Sequence, residues 1–152
     1  MGTPRLRSVT IPDLAAILED LEDFWQEGRD MGFLHQALYV HEFGETSVLA
    51  EEDGDILGYL LGFVAPGGYG YIHAVGVRSR ARGRGLGRAM YERFAALAAE
   101  RGAERLKAIT APENSGSRAF HAAVGFSEEL VEGYSPSGAA RVVFSRALPA
   151  QP

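Results

Sequence analysis

Arg82-Gly83-Arg84-Gly85-Leu86-Gly87 stands between a strand-like run over 71–77 and a helix-like run over 86–101, and no other stretch constrains the fold as tightly. Glycines at alternate positions let the backbone turn sharply and approach a ligand with no Cβ in the way. A helix that begins there presents unpaired N–H groups to the turn, which makes a site for an anionic phosphate. Arg80, Arg82, Arg84 and Arg88 bring positive charge to the same place, in a chain whose net charge is −5. The stretch reads as a phosphate cradle.

Spacing decides which kind. A P-loop needs lysine and then Ser or Thr after its last glycine, and Gly87 is followed by Arg88-Ala89. A dinucleotide fingerprint, G-x-G-x-x-G, sits beside a first strand with an acidic residue roughly 20 positions on. Here the third glycine comes one residue early and the turn lies mid-chain. What fits is [QR]-x-x-G-x-[GA], with Arg82, Gly85 and Gly87 in its fixed positions. That pattern resembles the pyrophosphate loop of the GCN5-related N-acetyltransferases, the GNAT superfamily, which bind acetyl-CoA. A later stretch resembles a second motif of the family, N-x-x-[AS]-x-x-[FL]-[YH]-x-x-x-G-F. Asn114, Ser117, Phe120, Gly125 and Phe126 occupy its positions.

Composition narrows the class further. A chain of 152 residues with 46% hydrophobic content is expected to fold as one domain over 1–152, with a core of its own. No run approaches the roughly 20 apolar residues of a membrane span, and no apolar signal core follows the N-terminus. With no cysteine there is no thiolate chemistry, and the histidines at 35, 41, 73 and 121 lack metal-ligand spacing. The expectation is a cytoplasmic protein without a metal. The acidic balance argues against nucleic acid as a partner, and nothing points to a membrane. A homodimer is compatible with this reading, and the sequence does not decide the assembly.

Hydrophobic spacing predicts the element order β-α-α-β-β-β-α-β-α-β-β. A strand is expected over 5–9. A helix follows Thr10, whose capping partner is Asp13, and carries Leu14, Ile17, Leu18, Leu21 and Phe24 or Trp25 on one face. An interruption over 28–32 precedes a second helix within 33–43. Strands over 46–51 and 56–65 flank the turn Glu52-Asp53-Gly54-Asp55, and a third strand covers 69–77. The helix over 86–101 closes at Gly102, and a strand over 106–111 follows. Asn114 caps a short helix ending at Gly125, before strands over 126–132 and 141–146. Periodicity alone supports a mixed α/β (α+β) domain with an antiparallel front half.

The resemblance implies more. The fold would be that of GNAT enzymes, a mixed, mostly antiparallel sheet of about six or seven strands with about four helices, splayed between its central strands. The implied activity is acetyl transfer from acetyl-CoA, as co-substrate, to a primary amine. An acyl-CoA-binding module without turnover is the alternative. Arg82, Gly83, Arg84, Gly85, Leu86, Gly87 and Arg88 would hold the pyrophosphate. Pantetheine would pair with the free edge of the 71–77 strand near Val75 and Val77, with a backbone N–H near Val75 aimed at the thioester oxygen. Asn114 and Ser117 would brace the cofactor, or serve only as cap and small helix residue.

His121 stands where many relatives carry the tyrosine that protonates the leaving thiolate. A neutral imidazole can donate one N–H to sulfur, or it can be a buried histidine satisfied by backbone. His73 is placed two residues before Val75, on the expected same face, and its near-neutral pKa suits deprotonation of an ammonium. A core-lining role is equally open. Tyr71 and Tyr134 are alternatives for the base. Tyr39, His41, Glu42 and Glu45 lie in the segment that roofs the acceptor site in this family, and Tyr134 comes from the opposite wall. No metal site is expected.

Overall fold

Thr10 opens the first helix as its sequence demands. Its hydroxyl accepts the Asp13 N–H, and the Asp13 carboxylate accepts the Thr10 N–H at 2.8 Å. Arg7 grips the same carboxylate at 2.7 Å, so the end of strand β1 (Arg5–Arg7) is tied to the start of helix α1 (Ile11–Glu19). The computed structural model describes residues 3–25 and 31–150.

The helix expected to run on to Trp25 breaks at Asp20. That residue leaves helical geometry, with φ −117 and ψ 25, and its carboxylate pairs with Arg78 at 3.1 Å. A separate single turn, α2 (Leu21–Phe24), follows. Leu14 and Ile17 are buried, whereas Leu18, also at helical spacing, is 43% exposed. The interruption expected over 28–32 falls largely outside the described residues. The second helix expected within 33–43 is instead a 3-10 turn at Gly32–Leu34 and a one-turn helix α3 (Leu38–His41).

From there sequence and structure agree closely. Strands β2 (Val48–Glu52) and β3 (Asp55–Ala65) are joined by Asp53 and Gly54, both with positive φ, the backbone a tight hairpin requires. Strand β4 (Tyr69–Val77) leads through the glycine turn into α4 (Leu86–Glu100), then β5 (Arg105–Thr110), α5 (Ser115–Ala123), β6 (Ser127–Val131) and β7 (Arg141–Ala147). The seven strands form one sheet in the order β1-β2-β3-β4-β5-β7-β6, antiparallel everywhere except between β4 and β5. The expected fold class is the one observed, with five α-helices among the described residues where about four are implied, because the first expected helix splits at Asp20 into α1 and α2.

Both faces of the sheet are covered. Helix α4 presses Met90, Phe94 and Ala98 onto one face, joined by Leu106, Val142 and Phe144 from below. The approach is close: a Cβ on Gly62 would lie 2.6 Å from the Phe94 ring, and one on Gly70 would lie 2.8 Å from the Ala98 Cβ. Glycines there let helix and sheet touch. The other face is packed by α1 to α3 through Leu14, Ile17, Phe24 and Val40 against Leu49, Tyr59 and Leu61.

Strand β4 is irregular in two places. Its parallel ladder with β5 stops after Tyr71–Lys107, although both strands continue. Its ladder with β3 skips a residue: Leu61 pairs with Ala74 and Gly62 with Ile72, leaving His73 as an extra residue, a β-bulge. Among the described residues, no helix is long and apolar enough to cross a membrane.

Candidate active site

Where β4 and β5 part, the sheet opens into a cleft of about 380 Å³. Val75 and Val77 line it from β4, Ala108 and Thr110 from β5, and Asn114, Ser117 and His121 from α5 and its cap. A second hollow of about 330 Å³ lies over the glycine turn, lined by Arg82, Gly83, Gly85, Leu86, Gly87 and Arg88. Val77, Gly87 and Phe120 belong to both, so the two form one groove.

The turn is built as the sequence predicts. Gly83 and Gly85 have φ of +80 and +78, and a Cβ on either would meet nothing within 4 Å. The backbone is therefore bare and faces open space. The first helical bond runs from the Ala89 N–H to the Gly85 carbonyl at 3.0 Å, so the N–H groups of Leu86, Gly87 and Arg88 at the start of α4 are left for an anion.

The arginines divide. Arg82 and Arg88 border the hollow and make no ion pair among the described residues; their guanidinium groups donate to the Phe24 and Ala123 carbonyls at 3.3 and 3.1 Å. Arg84 does not line it. Its guanidinium is held by Glu52 of β2 at 2.7 Å, and Arg80 is held by Asp55 at 3.2 Å. Of the four arginines that the sequence brings to the turn, Arg82 and Arg88 border the hollow, while Arg84 and Arg80 pair with carboxylates of the β2–β3 hairpin.

On α5, Asn114 caps the helix by accepting the Ser117 N–H at 3.1 Å. His121 is buried and stacked on Phe144 at 3.9 Å. Its Nδ1 lies 2.7 Å from the Ser117 carbonyl, which can only accept, so Nδ1 carries the proton. Nε2 then holds the lone pair and accepts the Tyr91 hydroxyl at 2.8 Å. Burial lowers the pKa of the imidazole, against the opposing pull of the Ser117 carbonyl. The expected N–H bond from His121 to a leaving thiolate has no free N–H to make it. Tyr91, which the sequence reading misses, lines the cleft four residues past Gly87, a spacing that puts both on one face of α4.

His73 is arranged the other way round. Its Nε2 donates to the Leu34 carbonyl at 2.9 Å, which leaves Nδ1 as the lone pair, with no partner among the described residues. The ring is half-buried in the cleft wall, and burial lowers its pKa. Tyr39 stacks on it with ring centroids 4.1 Å apart. The bulge overturns one expectation: His73 faces Tyr39 and α3, while Val75 packs with the α4 side of the core, so the two do not share a face.

Tyr71 does share the His73 face, beside Phe63 at 5.4 Å. Burial pushes its pKa up to about 12, with Tyr134, Tyr69 and Tyr39 adding to the effect, so near neutral pH it is a protonated phenol and not a base. Tyr134 is 46% exposed in the β6–β7 connection. His41 and Glu42 are exposed at the end of α3, and Glu45 points to Arg101 at 4.0 Å, away from the cleft.

A second unforeseen group is Trp25. Its Nε1–H donates to the Tyr59 hydroxyl at 2.6 Å, and that hydroxyl meets His35 Nε2 at 2.6 Å. His35 Nδ1 in turn donates to the Met31 carbonyl at 2.7 Å. The chain of bonds fixes Trp25 against the cleft. No local pattern joins residues 34 positions apart, so nothing in the sequence announces it. Among the described residues, no group of three or more His, Cys, Asp or Glu side chains is placed to hold a metal ion.

Comparisons with known proteins agree with this architecture. The chain is 29% identical over 126 residues to an L-2,4-diaminobutyric acid acetyltransferase of Nocardia farcinica (strain IFM 10152), covering 82% of this chain and 65% of that protein. A protein of the same name from Virgibacillus pantothenticus is 38% identical over 52 residues, 33% of each. The chain therefore spans less than two thirds of the length of either. In fold it is similar to a GNAT-family protein from Desulfovibrio desulfuricans, with a TM-score of 0.82, 20% identity and coverage of 97% of this chain and 100% of the other. The ribosomal-protein-S18-alanine N-acetyltransferase of Escherichia coli gives 0.76 at 16% identity, covering 99% and 97%. The family described as Acetyltransferase (GNAT) matches residues 14–126, and a match over that much of its length means that the chain belongs to the GNAT family.

Proposed function

We propose that the protein is an acetyl-CoA-dependent N-acetyltransferase acting on a primary amine of a small molecule or peptide. One observation carries this: the parted strands and the bare glycine turn form a single groove, open along the β4 edge and bordered at the α4 end by free backbone N–H groups, Arg82 and Arg88. The residues fit acetyl-CoA. Gly83 to Arg88 offer backbone N–H groups and the charges of Arg82 and Arg88 to its pyrophosphate, with charge-assisted bonds of the stronger kind. The free edge of β4 from Ile72 to Val77 offers strand-like backbone bonding to pantetheine. Acetyl-CoA supplies the thioester whose acetyl group is transferred.

The rest is the work of this chain. The Leu34 carbonyl holds His73 in the tautomer whose Nδ1 lone pair is unused, the form that takes a proton from an ammonium, directly or through water. The lowered pKa keeps the ring neutral at neutral pH and ready to accept. A backbone N–H near Val75, just past the bulge, would polarise the thioester carbonyl. His121 and Tyr91 act on each other and hold the α4 and α5 walls together. The free lone pair of His73 favours turnover over a module that only binds acyl-CoA.

The two diaminobutyric acid acetyltransferases make L-2,4-diaminobutyrate the first acceptor to try. A free-thiol assay with acetyl-CoA, run across diamino acids, polyamines, amino sugars and peptides, should show CoA release with at least one amine. Binding of acetyl-CoA with no release for any acceptor would favour the binding module. With the best acceptor, His73→Ala should lower kcat/KM and flatten its acidic limb. Because the pKa is lowered, the wild-type limb should fall below about pH 6.5, where the imidazole protonates and the lone pair is lost. An unchanged profile would remove His73 from the chemistry.

A further inference from the structure

The sequence contains a single lysine, and it stands at the point where the sheet opens. Lys107 is the partner of Tyr71 in the last register pair of the β4–β5 ladder. Its neighbours Leu106 and Ala108 are buried on the α4 side, so Lys107 projects to the opposite face, the face of Tyr69, Tyr71 and His73. The ammonium lies 4.7 Å from the centre of the Tyr69 ring. It makes no ion pair among the described residues, although the chain carries more acidic than basic groups. A half-buried cation left without a carboxylate, beside a row of π faces, awaits an anion.

We infer that Lys107 binds a carboxylate carried by the acceptor, so that the preferred substrate is the amine of a small amino acid. This rests on the acetyltransferase reading and on His73 receiving the amine. His73 lies two residues beyond Tyr71 on β4, and Lys107 one strand across, a separation of roughly 8 Å between Cα positions. As the structure places it, the ammonium leans back over Tyr69; a turn of the flexible four-carbon stem toward Tyr71 brings it within reach of an amino acid whose amine meets His73. Tyr39, Phe63 and Tyr71 supply an apolar wall for its carbon skeleton. Polyamines fit poorly. Among the described residues no carboxylate is hydrogen-bonded to Tyr71 or His73, so a second ammonium finds no counter-charge on that wall.

The test compares acceptors that differ only in the carboxylate: ornithine against putrescine, and lysine against cadaverine. Wild type should prefer the amino acid of each pair. Lys107→Met keeps most of the stem and removes the charge; it should raise KM for the amino acids roughly 10- to 100-fold, the value of a bond to a charged group. It should leave kcat, and KM for the diamines, nearly unchanged. Lys107→Arg should restore most of the preference. A readout without turnover is also open, because a lone lysine gives one side-chain resonance after reductive ¹³C-methylation, which keeps its charge. Ornithine should shift that resonance, and putrescine should not. Acetyl transfer with no preference within either pair, or equal KM effects on both members, would overturn the inference while leaving the enzyme reading intact. A carboxylate-dependent shift without transfer to any amine would uphold the anion site and count against acetyl transfer.

Discussion

A neutral imidazole has one N–H and one lone pair, and the two cleft histidines differ in which of these is spent. His121 has used both, the N–H on the Ser117 carbonyl and the lone pair on the Tyr91 hydroxyl. His73 has used only the N–H, on the Leu34 carbonyl. The first therefore has no N–H left to offer a thiolate, and the second is the one able to accept a proton. This predicts that His121→Phe keeps most of the turnover but loses stability. Tyr91 is 3% exposed, and removing its partner strands a buried hydroxyl at a cost of about 1–3 kcal/mol. Adding Tyr91→Phe should recover much of that loss, since both polar groups are then gone. Urea unfolding of the single and double variants measures it. A large drop in kcat with unchanged stability would return His121 to the chemistry.

At the scale of elements, the site exists because β4 is irregular. The bulge at His73 turns two consecutive side chains, His73 and Ala74, to the α1–α3 face, and the parting from β5 leaves one strand edge unpaired. The glycine turn then converts the end of the same strand into the N-terminus of α4. Gly85 is the N-cap, with left-handed geometry and open space above it. A Gly85→Val change would set a branched side chain in that space and force a residue averse to positive φ, costing about 1–2 kcal/mol. The expected result is loss of acetyl-CoA binding in calorimetric titration, with a cooperative unfolding transition retained. Wild-type affinity in a folded variant would remove the turn from the cofactor site.

Over the whole molecule, burial sets how stability depends on pH. His35, His73 and His121 all have lowered pKa values, with burial the largest cause in each. The unfolded chain binds their protons near the ordinary value of about 6.5, while the folded chain resists them. Their contribution is therefore fully present above about pH 6.5 and is lost as pH falls from there toward the folded values. Asp13 follows at lower pH. Burial raises its pKa, but the Arg7 and Thr10 hydrogen bonds outweigh this and leave it lowered, so its contribution fades only as the carboxylate protonates below its usual range of about 4. Urea midpoints should thus be steady from pH 8 to 7 and decline between about 6.5 and 5. A flat profile to pH 5 would mean that these rings are hydrated.

Much of this was legible in local chemistry. The Thr10–Asp13 box, the Asp53–Gly54 hairpin, the glycine turn and the Asn114 cap each depend on residues within a few positions of one another, and each formed where its pattern placed it. A mixed sheet of about six or seven strands followed from the resemblance that the two motifs carry, whereas the lateral order of the strands came from the structure. What local chemistry left open was every feature resting on a distant partner. Glu52 claims Arg84 across 32 positions, Tyr91 claims His121 across 30, and Tyr59 anchors Trp25 across 34. The bulge that separates His73 from Val75 arises from pairing with β3, not from the residues of β4 alone. Hydrogen bonds and ion pairs are satisfied by whichever group packing brings within about 3 Å, and a linear pattern carries no record of that neighbour. The chemistry of the turn could therefore be read along the chain, whereas the protonation pattern of the two histidines could be read only from the folded protein.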